Sequence, residues 1–266
     1  MSGWIIAIPS YNRVETLKEK TLAVLKQYKI PASKIHIFVA NEEEKKKYEE
    51  GLDKGSYGHL TVAIKGLPEA RNFIFKSFPK GQEIVEMDDD IRGFVEYTPR
   101  TKRHERPLQD LAGLFDRGFA ECKKAGARLW GLYPVPNGFF MKPTVTTDLK
   151  FIIGSTWGCI NPGDEIQLDL GGEKEDYRRT ILFWEADGVV VRLNFVAPKT
   201  AYYKEPGGLQ DGDRKAREEK TVKTMLKRWP QYIKLNPRRK SGYTEIKLYN
   251  GTKANRVTRK RSKEHT

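Results

Sequence analysis

Asp88, Asp89 and Asp90 stand in a row immediately after a short apolar run, residues 83–87. Like charges side by side repel unless a cation lies between them. Hard carboxylate oxygens select Mg2+ or Mn2+, ions that keep coordination positions open for substrate phosphates. The triplet therefore reads as a divalent-metal site held through Asp88 and Asp90, or equally as a solvated acidic turn in which Asp90 caps the turn from Ile91. A second acidic pair, Glu175-Asp176, stands at the head of a segment with helical character. A carboxylate there can act as a general base toward a hydroxyl, or simply complement the positive end of the helix. A third segment, Lys204-Glu205-Pro206-Gly207-Gly208, permits a tight loop whose amides suit a diphosphate, with Lys204 adding charge. An ordinary Pro-Gly turn between a strand and a helix has the same composition.

Such residues need a rigid frame. Residues 4–8, 35–40, 60–64 and 83–87 are apolar runs of strand length, and residues 15–28, 42–50 and 67–75 between them read as helices, with Pro68 at an N1-like position. Strand alternating with helix is the pattern of an α/β fold whose sheet is mainly parallel and flanked by helices. Sites in such sheets lie beyond the carboxyl ends of the strands. Pro9-Ser10-Tyr11-Asn12, Ala40-Asn41 and Asp88-Asp89-Asp90 all fall at such ends. The second half is less regular. Residues 108–125, 176–187 and 213–228 read as helices, 129–135 and 189–196 as strands, 151–160 as a strand or hairpin, and 244–249 as a further strand. Residues 1–235 are expected to form one domain and 236–266 a basic extension.

The 266 residues carry a net charge of +14, concentrated between positions 238 and 263. An excess of this kind usually meets a polyanion: nucleic acid, an anionic membrane surface or a phosphorylated substrate. Charge that merely keeps the chain soluble is the plain alternative. Arg100, Lys102 and Arg103, with Arg256, Arg259, Lys260 and Arg261 in the tail, are the candidate phosphate contacts, giving affinity without sequence preference and a steep salt dependence. The two cysteines, Cys122 and Cys159, have no metal-binding spacing. No basic segment leads into a long apolar run, and no stretch approaches the ~18 apolar residues of a membrane span. The expectation is a soluble, cytoplasmic protein without a membrane partner.

In their order and spacing these elements resemble those of the GT-A glycosyltransferases, in particular the family-2-like ones, over residues 4–187. Pro9-Ser10-Tyr11-Asn12-Arg13 is similar to the P-[ST]-Y-N-R opening that borders the nucleotide pocket in that family. Ala70-Arg71-Asn72 resembles its A-R-N element, Met87-Asp88-Asp89-Asp90 its D-X-D motif, and Glu175-Asp176 the E-D pair that supplies the base in inverting members. The resemblance implies a UDP-sugar donor, UDP-glucose by family habit, with Mn2+ or Mg2+ at Asp88 and Asp90 bridging its diphosphate. It implies nucleotide contacts from Pro9, Ser10, Tyr11, Asn12, Arg13 and Asp89. Arg71, Lys204, Gly207 and Gly208 would serve the diphosphate, and Asp176, beside Glu175, would be the base. One element departs from the family. The second strand usually ends in an acidic pair, whereas here it ends Val39-Ala40-Asn41-Glu42, leaving Asn41 for a uracil edge and Glu42 for the ribose.

Together with the Gly154-Ser155-Thr156-Trp157-Gly158 segment and the late Lys-x-x-Gly-Gly segment, the motifs are similar to those of the TET-associated and base-J-type DNA glycosyltransferases of phages and some protists. That similarity implies DNA as acceptor, through the hydroxymethyl oxygen of 5-hydroxymethylcytosine or 5-hydroxymethyluracil. Reaching that oxygen calls for base flipping, with Trp157 and Tyr177 stacking on or wedging beside the flipped base. Each of these two rings is equally at home in a core. Two other readings stay open. A GT-A enzyme acting on a surface glycan or lipid carrier would call for a membrane anchor. A non-catalytic DNA-binding module on the same scaffold would call for damaged D-X-D and E-D motifs and no metal-dependent donor binding.

Overall fold

The computed structural model describes residues 3–168, 173–200, 214–237 and 244–249. Its first half alternates strand and helix as the apolar runs predict. β1 (Ile5–Pro9) leads into α1 (Val14–Leu17) and α2 (Ala23–Gln27), joined by a single π-turn at Lys18–Leu22. β2 (Ile35–Val39), α3 (Glu42–Gly51), β3 (His59–Val62), α4 (Leu67–Ser77) and β4 (Glu83–Met87) follow. The second half contains β5 (Gly93–Tyr97), β6 (Glu105–Pro107), α5 (Leu111–Ala125), β7 (Leu129–Leu132), β8 (Val145–Thr146) and β9 (Thr156–Ile160). It continues with α6 (Glu175–Asp187), β10 (Val191–Leu193), β11 (Val196–Lys199), α7 (Arg214–Arg228), β12 (Ile233–Leu235) and β13 (Ile246–Leu248).

Eight strands form one mixed sheet in the order β3-β2-β1-β4-β9-β7-β10-β8. β3, β2, β1 and β4 are mutually parallel; β9 runs antiparallel between β4 and β7. Alternation along each strand divides the core between the two faces. Ile6 and Ile8 of β1 pack with Leu25, Phe115 and Trp130 on one side, while Ala7 packs with Ile74, Phe75, Trp157 and Phe183 on the other. The same alternation sends Val85 and Met87 of β4 to the first face and Ile84 to the second. Glu86, in register with Ile84, is thereby driven into the apolar interior, where only 1% of it is exposed.

Three elements differ from expectation. The run 189–196 is not one strand: it breaks at Asn194, whose side-chain amide donates to Thr144 and Thr146 hydroxyls while its oxygen accepts from Arg192 Nε at 2.8 Å. β11 then leaves the main sheet for a second one, ordered β11-β5-β6. Within 151–160 only the last five residues are strand; residues 151–153 are irregular and 154–155 form a turn at the site. The helix expected over 108–125 starts at Leu111, because Asp110 caps it by accepting from Gly113 N at 2.8 Å and Pro107 belongs to β6. At the other end of the chain, β12 and β13 form a hairpin across position 235, and Ile246 is buried with the second core cluster.

Trp130, fully buried, is enclosed by Gly118 of α5 and Gly158 of β9. A Cβ at either glycine would meet the indole closer than carbon atoms approach one another. Gly158→Ala is therefore expected to cost about 1–3 kcal/mol of stability through overpacking. Urea unfolding with an unchanged m-value would register it, and a variant as stable as the parent would show that the indole can move aside.

Candidate active site

The carboxyl ends of β1, β2, β3 and β4 and the chain entering β9 enclose a cleft of about 440 Å3, lined by Pro9, Ser10, Tyr11, Arg13, Ala40, Lys65, Arg71, Asp88, Asp89, Asp90, Ser155, Lys174, Glu175 and Asp176, among others. Because β9 is antiparallel to β4, its amino end lies at this edge; Asp88 N donates to Ser155 O at 3.0 Å. β4 ends at Met87, and the aspartate triplet turns out of it. Asp88 and Asp90 are half-buried and border the cleft, whereas Asp89 turns inward and is 5% exposed.

Asp89 holds the first strand's loop. Its Oδ2 accepts from Ser10 Oγ at 2.6 Å and its Oδ1 from Arg13 Nη1 at 3.1 Å. With the Ser10 proton committed to Asp89, the Tyr48 hydroxyl, 2.7 Å away, is left to donate to Ser10 Oγ, and it accepts from Arg13 N at 3.1 Å. Asn12 is exposed, takes a left-handed φ of 56° that sharpens the turn, and donates its N–H to Glu44. The π-turn in the first helical stretch places Thr21 beneath the triplet. Its hydroxyl donates to Asp88 O at 2.7 Å and accepts from Ile91 N at 3.0 Å, fixing the backbone on both sides of the aspartates.

Below the cleft lies a buried charge lattice. Arg71 of α4 donates to Glu86 at 3.0 Å, to Glu175 and to Gly154 O at 3.1 Å, and lies 3.6 Å from Asp88 Oδ1. Arg179 of α6 donates to both oxygens of Glu175 at 3.1 and 3.0 Å and to the carbonyls of Ile152 and Ile153. The Trp157 ring packs against both guanidiniums, 4.0 Å from that of Arg179 and 5.4 Å from that of Arg71. Burial opposes ionisation of Glu175, yet the two arginines prevail and hold it below the usual carboxylate range. Asp176, one residue on, is half-buried at the cleft. Burial and the neighbouring Glu175 charge push it up to about 6. Its Oδ1 accepts from Tyr177 N at 2.9 Å.

The donor set suits a divalent cation. Burial, with Asp90, Asp89 and Glu175 close by, pushes Asp88 up to about 8 in spite of Arg71, so full ionisation of this carboxyl calls for positive charge beyond that of its protein neighbours. Among the described residues no group of three or more His, Cys, Asp or Glu is arranged to hold an ion by itself. A magnesium-type ion needs only one or two carboxylates when phosphates complete its shell. Ser155 Oγ and Thr200 Oγ1, both in residues lining the cleft, are buried without a hydrogen bond among the described residues, as groups awaiting a polar ligand would be.

Of the residues singled out from sequence, Pro9, Ser10, Tyr11, Arg13, Arg71, Asp88, Asp89, Asp90, Glu175 and Asp176 meet at this cleft. Asn41 does not: it is exposed and caps α3, accepting from Glu44 N at 2.8 Å. Arg71, 1% exposed, is committed to carboxylates of the protein rather than presented to a diphosphate, and Glu175 is likewise consumed in the lattice. Trp157 and Tyr177 lie in the core rather than on a nucleic-acid surface. Trp157 is fully buried, and Tyr177 packs on Phe151 and donates its hydroxyl to Ile246 O at 3.2 Å. Arg100, Lys102 and Arg103 are exposed on the loop between β5 and β6. Lys204, Gly207, Gly208, Arg256, Arg259, Lys260 and Arg261 lie outside the described residues. Two cleft lysines were not anticipated. Lys65 follows β3 and stands 5.0 Å above the Tyr11 ring, and the strand-end rule could have found it. Lys174 precedes Glu175 with a left-handed φ of 58° and pairs with Glu218 at 2.7 Å.

No family model and no curated protein matches the sequence. Solved structures similar to the chain include S. aureus TarS residues 1–349, 14% identical over 74% of this chain and 60% of that one, with a TM-score of 0.47. The mannosyltransferase PcManGT from Pyrobaculum calidifontis in complex with GDP-Man and Mn2+ is 12% identical over 73% and 53%, with a TM-score of 0.40. GalNAc-T7 with UDP, GalNAc and Mn2+ is 12% identical over 86% and 48%, with a TM-score of 0.47. The chain thus spans about half to three fifths of these proteins, and likeness at this distance does not extend to function. No described helix is long and apolar enough to cross a membrane.

Arg71→Met strands Glu86 in the interior and leaves Glu175 to Arg179 alone, and removal of one partner from such a buried set costs roughly 3–5 kcal/mol. Thermal or urea unfolding is expected to show that loss, with Arg71→Lys rescuing only part of it because an ammonium cannot reproduce the forked contacts. A methionine variant within 1 kcal/mol of the parent would contradict the lattice's structural role.

Proposed function

We propose that the chain is a metal-dependent GT-A glycosyltransferase that moves a sugar, glucose in the simplest case, from a UDP-sugar to the hydroxymethyl oxygen of a 5-hydroxymethylpyrimidine in DNA. The observation that carries the donor half is one juxtaposition: the Tyr11–Arg13 loop, the Asp88/Asp90 pair and Asp176 line a single cleft at the strand ends. Mn2+ or Mg2+ held by Asp88 and Asp90 would supply positive charge against the departing diphosphate. Tyr11 offers a ring at the cleft wall with the Lys65 ammonium above it, and Arg13 is fixed by Asp89.

Asp176 is the base. With Oδ1 accepting from Tyr177 N, Oδ2 is left for the acceptor's proton. That proton passes to Asp176 as the acceptor oxygen bonds to the anomeric carbon. The bond from that carbon to the phosphate oxygen breaks, and its electron pair leaves with UDP. Attack opposite the leaving group inverts the anomeric centre. Glu175, held ionised by Arg71 and Arg179, keeps Asp176 basic enough to accept and is a positioning residue. DNA as acceptor is supported by the net charge of +14 and by the exposed cations Arg100, Lys102 and Arg103.

The deciding assay supplies Mn2+, labelled UDP-glucose and DNA with or without 5-hydroxymethylcytosine or 5-hydroxymethyluracil. Transfer confined to hydroxymethylated DNA, and reduced at least about a hundredfold in Asp176→Asn, is expected for loss of a general base. UDP release to water without DNA labelling would keep the donor and remove the acceptor; neither activity would end the reading. The rate with the parent chain should fall as pH drops through about 6, where Asp176 takes up a proton and can no longer accept one. A rate independent of pH between 5 and 8 would remove Asp176 from the role.

A further inference from the structure

We infer that two loops at the far end of the second sheet form a platform for an unpaired stretch of nucleic-acid strand. The inference deepens the reading of DNA as acceptor and rests on it. Phe139 and Phe140 are 64% and 60% exposed, unusual for adjacent large apolar rings. They are not loose. Asn137 holds the turn, its Oδ1 accepting from Phe139 N at 3.0 Å and its carbonyl from Phe140 N at 3.1 Å.

The turn is locked to the loop between β5 and β6. Gly138 N donates to Glu105 Oε2 at 2.9 Å, and Gly138 lies so close to the carbonyls of Arg103 and His104 that no side chain fits. The Phe139 ring meets His104 edge-on at 5.2 Å, and His104 stacks on Tyr97 at 6.3 Å. A row of rings therefore lies beside Arg100, Lys102 and Arg103, all exposed.

Cations beside exposed rings match the alternation of phosphate and base in a single strand, where phosphates meet charge and bases stack. Tyr97 and His104, both half-buried, back the two phenylalanines, and His104 Nδ1 is itself buried, without a hydrogen bond among the described residues. The exposed rings stand on a turn and not on an amphipathic helix, so a strand fits better than a lipid surface. The location also fits. β5 begins three residues after Asp90, and Thr98 is eight residues from it, within about 28 Å even if fully extended. A strand opened to deliver one base to the cleft would pass within reach.

The test is fluorescence anisotropy of the full chain with a labelled oligonucleotide, single-stranded and as a duplex, over a salt series. Both rings are exposed, so Phe139→Ala/Phe140→Ala is expected to melt like the parent while binding the single strand about tenfold or more weakly, with an unchanged salt slope. Arg100→Gln/Lys102→Gln/Arg103→Gln should lower that slope by about two. Single-strand affinity unaltered by loss of both rings would overturn the platform. So would ring-dependent binding to vesicles of anionic phospholipid with strand binding intact. Transfer to hydroxymethylated DNA with ring-independent affinity would sink the platform and leave the acceptor reading standing. Ring-dependent strand binding by a chain that transfers nothing to DNA would do the reverse.

Discussion

The site depends on two guanidiniums and two carboxylates sealed beneath it. Arg71, Glu86, Glu175 and Arg179 are all less than 9% exposed. Ions so placed lose their hydration and are tolerated only when geometry satisfies them closely. Here each arginine also bonds backbone carbonyls of residues 152–154, and an indole fills the space against both. The lattice ties α4, β4, α6 and the chain entering β9 into one body. The Asp88/Asp90 pair and Asp176 sit on elements that it joins, so their separation is set by the interior and not by loops. Glu86 carries part of the tension: burial pushes it up to about 7 in spite of Arg71, and its Oε1 has no hydrogen bond among the described residues.

Within that frame, three adjacent aspartates have different fates because the chain turns as it leaves β4. Asp89 accepts from Ser10 and Arg13 and becomes a fastener at the cleft wall; Asp88 and Asp90 stay half-buried beside it. A run of three carboxylates is thus one structural group flanked by two that border the site. Thr21 depends on the π-turn to reach the backbone on both sides of them.

Much of the first half could be read from the order of residues, since each apolar run there is one strand and each segment between is helical, the first of them interrupted by the π-turn, and local pattern matches tertiary role. Legibility fell where long-range partners decide. Arg71 has the type of a phosphate ligand, and only the arrival of Glu86 and Glu175 from 15 and 104 residues away turns it inward. Trp157 and Tyr177 have the rings expected of base-stacking residues, but composition cannot say which side of a strand or helix faces the core. Asn41 serves its own helix, a local role that the Asn-Glu-Glu-Glu series carries openly. The second sheet went unread because β11 continues a run that began in the first, and the break at Asn194 is made by hydroxyls some fifty residues earlier.

The antiparallel strand β9 has a consequence for how the molecule is assembled. β7, β10 and β8 reach the four parallel strands only through it, although it comes after β7 and β8 in the chain. Until residues 156–160 slide between β4 and β7, no ladder of backbone bonds joins the two parts of the sheet. A nascent chain that has made β1 to β4 already carries Asp88 and Asp90, but its Arg71 still lacks Glu175 and the carbonyl of Gly154. The aspartate triplet is therefore in the chain well before Asp176, the base proposed above, and closing this non-local seam is the kind of step that sets a slow folding rate. The seam closes when one five-residue strand finds its slot, and α6, which carries Glu175 and Asp176, follows that strand in the chain.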